Sequence, residues 1–294
     1  MNITAQSPHL VTVKTGPRKL LTGNAIATLA VAVWVATSVA PVLTILLGAL
    51  KTQTQISSDP LGLPNPLRLD NFIRGWEGVA VGEPMSTYFM NTIVFSVVAV
   101  AASTIAGTMA AYALARRTSF ASSFFERYFA VLYALPFLAV IIPLYSITGD
   151  LGIRSNPAGI GLVFAAGWLP LTVTLMYGFF SGFPLDVIES AKTDGASEAR
   201  IFASIVMPMS KSAILSNLLL CFIYAWNNLS HTLPLLVRPN STTVAPGLLL
   251  FTAQYSVDLG AQLAGMLISI LPLIAAYALL HRHIMESFRV GSFR

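Results

Sequence analysis

Residues 183–212 read FPLDVIESAKTDGASEARIFASIVMPMSKS. Asp186, Glu189, Lys192, Asp194, Glu198, Arg200 and Lys211 all fall in this stretch, and long uncharged runs flank it on both sides. Pro184 opens a helix, because its ring presets φ and its missing N–H would be unpaired there anyway. Leu185, Ile188 and Ala191 recur at helical spacing, and Glu189 lies three residues before Lys192 on the other side. Asp194-Gly195 breaks the run, since glycine takes positive φ without steric cost. Ser197 caps a second helix, with Ile201, Phe202, Ile205 and Val206 as its apolar face. Pro208 ends that helix or bends it into the next apolar run. A short helix, a glycine turn and another short helix make a docking surface rather than a membrane span.

The rest of the chain sets the context. It has 294 residues, 55% hydrophobic and 10% charged, with formal charge +5; its mean hydropathy is +0.73. Soluble domains carry roughly 25% charged residues. The chain is therefore an integral membrane protein, and its positive charge marks the cytoplasmic side of a bilayer rather than a nucleic-acid partner. The single cysteine, Cys221, excludes an internal disulfide. Residues 1–24 form a polar cytoplasmic tail carrying Lys14, Arg18 and Lys19. The apolar run after it is longer than the ~7–15-residue core of a signal peptide, which predicts an uncleaved first span.

Six transmembrane helices are expected, at about 25–50, 86–115, 128–149, 157–182, 212–237 and 260–281. Each supplies the ~20 apolar residues needed to cross the hydrocarbon layer. Backbone satisfaction in lipid makes them helical, so the fold class is all-α and polytopic, with 25–294 as one membrane domain. Pro41, Pro136, Pro143, Pro170, Pro234 and Pro272 predict kinks or ends. With the N-terminus inside, the inner segments hold 12 of the 17 Lys and Arg residues and the outer segments 5. That bias places both termini, and the loop 183–211, in the cytoplasm. Residues 51–85 read as a long outer loop. Val244–Ala253 is apolar but too short to span, and reads as an interfacial or re-entrant piece.

Some chemistries are missing. No Asp, Glu, Lys or Arg lies within the six apolar windows, which argues against a secondary transporter driven by a moving intramembrane charge. Gly-Lys never occurs, so the usual phosphate cradle for ATP is absent and any ATP with its Mg²⁺ belongs on another subunit. His281 and His283 flank Arg282 and read as solvated groups at a helix end, with no partner ligands for a metal. No Ser/His/Asp set can be assembled, so the chain is expected to hold no catalytic residue, cofactor or metal.

Glu189-Ser190-Ala191-Lys192-Thr193-Asp194-Gly195-Ala196-Ser197, followed by Phe202, Ile205 and Met207-Pro208, resembles the "EAA" loop of bacterial ABC import permeases. Ser190 replaces the usual first alanine. Further stretches resemble the carbohydrate-uptake branch, in particular the second membrane subunit of maltose-type importers: Asp70-Asn71-Phe72 with Trp76, Met90-Asn91-Thr92, Ala110-Ala111-Tyr112-Ala113 with Ala115-Arg116, Ile142-Pro143-Leu144-Tyr145, Leu151-Gly152-Ile153 and Ala225-Trp226-Asn227. Two positions depart from that pattern. Asn228 stands where a carboxylate is frequent, and Leu259 where a tryptophan is common.

The resemblance implies a type I ABC importer permease fold. It implies that Glu189, Ser190, Ala191, Asp194, Gly195 and Ala196 meet an ATP-hydrolysing subunit, with the small residues Ser190, Ala191, Gly195 and Ala196 allowing close approach. Read alone, Asp194-Gly195 is also simply a turn and Glu189–Lys192 a solvated pair. The implied assembly has a homologous second permease, two ATPase copies and an extracytoplasmic solute-binding protein. The implied substrate is a di- or oligosaccharide crossing the bacterial inner membrane by alternating access. Permeases for glycerol phosphate, amino acids or peptides share the loop and remain alternatives. Tyr224, Asn227 and Asn228 offer uncharged hydrogen bonds to a solute, or polar contacts between helices. By the same resemblance, Val244–Asp258 forms a loop that enters the binding protein's cleft.

Overall fold

The computed structural model describes residues 21–78, 83–116, 120–251 and 258–290, and no strand occurs among them. The chain divides into two contact units, Met1–Thr44 and Ile45–Arg294. The first unit holds most of helix α1 (Leu21–Ala49), whose residues from Ala27 to Leu43 are all exposed. Thr37 and Ser38 turn their hydroxyls back onto the carbonyls of Val33 and Trp34, both at 2.8 Å, which satisfies them without water.

The second unit is organised along α4. The outer loop expected at 51–85 contains two short helices, α2 (Gln53–Ser58) and α3 (Asp70–Glu77), followed by α4 (Met85–Ala115). Helices α5 (Phe120–Tyr133), α6 (Phe137–Asp150) and α7 (Pro157–Ser181) come next. Then come α8 (Leu185–Thr193), α9 (Glu198–Met209) and α10 (Lys211–Trp226). Two four-residue helices, α11 (Thr232–Leu235) and α12 (Val244–Gly247), precede the last, α13 (Leu259–Val290). Four of these helices are long and apolar enough to cross a membrane, or six if each of two bent pairs counts as one span.

Two expected spans are built differently from a single rod. The stretch 128–149 is broken between α5 and α6 by a 90° bend. Pro136 removes a backbone donor there and forces the residue before it out of helical geometry. The stretch 212–237 runs as one helix only to Trp226. Beyond it, Asn227 Nδ2 donates to its own helix at Ile223 O (2.9 Å), and Asn228 Oδ1 accepts from His231 N (2.9 Å). These side chains offer the backbone an alternative to another helical turn. Pro41, Pro143, Pro170 and Pro272, by contrast, lie inside continuous helices.

Three apolar clusters lie along α4, whose 31 residues run about 46 Å at 1.5 Å per residue. At its start, Met85 and Tyr88 pack on Val244 and Ala261. In its middle, Phe95 and Ala99 meet Ile160 and Phe164 of α7 and Cys221 and Ala225 of α10. At its end, Ala111 and Tyr112 meet Met176 and Phe180 of α7. Among the described residues the most extensive helix–helix contact is α4 against α7. It is close because it uses small residues: a Cβ added at Gly161 would sit 2.7 Å from the Phe95 carbonyl oxygen. Within this core Cys221 is fully buried, its Sγ 3.2 Å from Ser103 Oγ.

Gly161→Ala is therefore expected to destabilise by about 1–3 kcal/mol, since backbone must move to admit the methyl group. Gly178→Ala, on the same helix with open space at its Cβ, should be neutral or stabilising. Thermal unfolding of the two variants in detergent checks this. Equal melting temperatures would refute the close-approach account of the α4–α7 contact.

Candidate functional site

The loop between α7 and α10 builds a small two-sided surface. Phe183, Ile188, Ala191, Ile201 and Val206 turn inward onto Tyr112 of α4 and Val173, Met176 and Phe180 of α7. The opposite side shows Leu185, Asp186, Glu189, Ser190, Lys192, Thr193, Asp194 and Gly195 to solvent. Leu185 does not share the buried side with Ile188 and Ala191. It is 60% exposed, a bare leucine amid polar neighbours. Ala191 keeps the helical spacing read in the sequence. Its spacing from Ile188 carries it to the inner face, where it is 8% exposed, and Ala196 packs on the same cluster. Of the four small residues, Ser190 and Gly195 are exposed.

The turn between the two helices is a Schellman cap. Ala196 N donates to Ala191 O (3.0 Å) and Gly195 N to Lys192 O (2.9 Å), with Gly195 at φ +80°. Ser197 Oγ then caps α9 through Arg200 N (3.3 Å). Within α9, residues Phe202–Val206 form a π-helical segment, and Met207 N reaches back to Phe202 O. Pro208 lacks the N–H that would bond the Ser204 carbonyl, so the ladder slips by one residue before it.

One ion pair links the two helices. Lys192 Nζ lies 2.6 Å from Glu198 Oε1, both half-exposed. The hydrogen bond from Lys192 holds the Glu198 carboxyl below its ordinary range, and the same bond raises Lys192 above its own. The lowered Glu198 contributes above the ordinary carboxylate range, and its contribution is lost as pH falls through its folded value. The raised Lys192 contributes below the ordinary lysine range, and its contribution is lost as pH rises through its folded value. The destabilisation caused by Lys192→Met should thus be the same at about pH 6 and pH 8, and shrink as pH falls through and below the ordinary carboxylate range. Thermal unfolding at low salt across that range is the measurement. A steady change between pH 6 and pH 8 would contradict the assignment.

Away from the loop, a cavity of about 400 Å³ opens at the α5–α6 break, beside the middle of α7 and the end of α10. Its wall includes Tyr133, Phe137, Phe164, Trp168, Tyr224 and His231, with Asn228. Trp168 stacks on Phe164 (5.7 Å) and leans on Tyr224 (4.8 Å), while Phe137 stacks on His231 (3.4 Å). The Trp168 indole N–H is buried without a hydrogen-bond partner. Of the three pathway candidates, Tyr224 and Asn228 line this cavity, whereas Asn227 faces shallower pockets beside Leu229. Sequence reading missed Trp168, Phe137 and His231. They lie in apolar runs at unrelated spacings, and only the break at Pro136 brings them together.

Several residues that drew attention in the sequence turn out to be joints. Asn71 Nδ2 caps the end of α1 through Ala49 O and Lys51 O, both at 2.9 Å. Asn91 Nδ2 holds Asn240 O and Thr242 O at 2.9 Å, and Thr92 Oγ1 accepts from Val244 N at 2.9 Å. Trp226 Nε1 donates to Ser269 O at 3.0 Å, tying α10 to α13. Val244, Pro246 and Gly247 are therefore buried against α4, so the first part of the loop expected at 244–258 is not available to enter another protein. Residues 252–257 of that loop lie outside the described residues. No group of three or more metal-ligating side chains occurs among the described residues, and His281 Nδ1 contacts Ala278 O on its own helix at 2.9 Å.

The architecture is that of an all-helical, multi-pass membrane protein over the described residues. The chain belongs to the family of binding-protein-dependent transport system inner membrane components, whose model matches residues 102–290. It is 28% identical over 268 residues to the diacetylchitobiose uptake system permease protein NgcG of Streptomyces coelicolor, covering 89% of this chain and 86% of that one. It is 29% identical over 258 residues to the probable starch degradation products transport system permease protein AmyC of Thermoanaerobacterium thermosulfurigenes, covering 87% and 92%. It is 26% identical over 256 residues to the melibiose/raffinose/stachyose import permease protein MelC of Bacillus subtilis, covering 86% and 91%. In fold it matches a chain from the crystal structure of a bacterial ABC transporter involved in the import of the acidic polysaccharide alginate. That match has TM-score 0.79 at 20% identity and covers 92% of this chain and all of that one.

Proposed function

We propose that this chain is a permease subunit of an ABC importer that carries a di- or oligosaccharide inward. A second, homologous permease completes the pathway, a binding protein delivers the solute outside, and two ATPase copies with ATP and Mg²⁺ work inside. In this reading the chain has six spans, both termini and the 183–211 loop are cytoplasmic, and the membrane is the bacterial inner membrane. The observation that carries the substrate class is the cavity wall, which is rich in aromatic rings and, among the described residues, has no Asp, Glu, Lys or Arg. Aromatic faces suit the C–H faces of a pyranose, and Tyr224, Asn228 and the unpaired Trp168 N–H suit its hydroxyls. Glycerol phosphate, an amino acid or a peptide end would leave a charge without a partner there. The relatives NgcG, AmyC and MelC are described as permeases for sugar uptake, which points the same way.

Coupling follows from the outer face of α8. Leu185, Glu189, Ser190, Asp194 and Gly195 form a ridge for the ATPase to grip, with backbone at Gly195 open to close approach. The inner face rests on the ends of α4 and α7, so a push on the loop is delivered to the pair. ATP binding then favours the outward-facing state only by the difference in docking energy between states.

Two experiments test this. Vesicles carrying the complete complex are assayed for uptake of radiolabelled diacetylchitobiose, raffinose and maltotriose. Tyr224→Ala should raise half-saturation about 2- to 10-fold, with ATPase recruitment intact. Unchanged saturation for every sugar that is moved would refute the cavity as the contact point. Gly195→Arg should abolish ATP-driven uptake: its long side chain enters the space the partner approaches through, with no atom of this chain within 4 Å of its Cβ, and the φ of +80° adds strain to the turn. Gly195→Asn, which tolerates the same backbone conformation, should keep uptake. Normal uptake with the arginine would sink the coupling reading. Uptake by the purified chain alone along an ion gradient would favour a secondary transporter instead.

A further inference from the structure

Tyr112 lies one turn before the end of α4, directly beneath the loop. Its ring packs on Phe180 of α7 at 5.8 Å and on Phe202 of α9 at 4.9 Å. Its hydroxyl donates to Glu198 Oε2 at 3.4 Å, while Lys192 of α8 holds the other oxygen of the same carboxylate. The Arg116 guanidinium covers the rings of Tyr112 (5.6 Å) and Phe183 (5.8 Å), and its Nη2 donates to Phe180 O at 3.1 Å. One side chain therefore touches α4's neighbour α7, both loop helices through Glu198, and the arginine that clamps the loop's entry.

Apart from the Arg116 guanidinium over Phe183, the loop meets the core among the described residues mainly through apolar, non-directional packing. Such contacts allow sliding, whereas a hydrogen bond fixes register. At 3.4 Å the Tyr112–Glu198 bond is long for O–H···O⁻. A sub-ångström shift of α9 would make it short and strong, or break it.

We propose that Tyr112 and Glu198 form the joint through which movement of α8 and α9 reaches α4, with Tyr112 a positioning residue for transport. The joint tightens when the loop is loaded and makes α4, α7 and the loop move as one body. Without it the loop still docks and the ATPase still turns over, but its stroke is partly lost as sliding over the apolar bed. This proposal rests on the coupling reading above.

The test uses the complete complex reconstituted in liposomes with its binding protein. It measures uptake of diacetylchitobiose, raffinose and maltotriose alongside ATP hydrolysis in the same vesicles. Tyr112→Phe keeps every ring contact and removes only the hydroxyl. Glu198→Ala removes its acceptor, and Glu198→Gln keeps an acceptor. Tyr112→Phe and Glu198→Ala should each lower sugar moved per ATP about 2- to 30-fold. The ATPase should co-purify in full, and Glu198→Gln should restore most of the ratio. The double variant should be no worse than the poorer single one, since both break the same contact. Hydrolysis and uptake falling in parallel, an unchanged ratio, or additive losses would each overturn the proposal. If wild type moves none of the three sugars, the substrate class fails but the joint does not. Its signature is then read from hydrolysis alone, as binding-protein stimulation reduced in Tyr112→Phe, and full stimulation there would overturn it.

Discussion

The close pairing of α4 with α7 is the contact on which the rest of the second unit depends. Lipid is as apolar as a leucine side chain, so burying grease does little to join helices in a bilayer. What remains is dispersion at short range, and that requires backbones to approach. Gly161 against the Phe95 carbonyl supplies the approach. Once the pair is set, the three clusters follow along α4, and α10, α12 and α13 each attach to one of them or to its neighbour.

The same pair joins two features that would otherwise be unrelated. Trp168 on α7 lines the aromatic cavity, and Phe180 on the same helix seats the loop. About 18 Å of continuous helix separates them, at 1.5 Å per residue. A rigid element between a solute contact and a motor contact is the simplest physical link between the two. It carries displacement without needing a chain of side-chain rearrangements.

Much of this was legible in the sequence, and what was not has a common cause. Charge-free runs announced the long helices, and Pro184, Gly195 and Ser197 announced the short ones with their turn and cap, because each depends on local chemistry alone. The EAA-like motif identified the loop, and the family match supports the class of protein. What failed depends on which side chains compete for the same backbone, or on what lies across the fold. Asn227 and Asn228 stop α10 early, which an apolarity window does not see. Ala191 was assigned to an ATPase contact by resemblance alone, while its helical spacing from Ile188 already pointed to the inner side where it packs. Asn71, Asn91 and Trp226 stood out through resemblance, and their partners are carbonyls 20 to 151 residues away. The cavity was least legible, because its wall is assembled by a 90° break that composition does not encode.

The placement of Cys221 has a practical consequence. The lone thiol of the chain is fully buried between α4 and α10, beside Ser103. Maleimide reagents and fluorophores that act at the surface have no native target on this subunit. Reporter groups can be installed at chosen exposed positions, Ser190 on the loop for instance, without first rebuilding the core around a cysteine-free background.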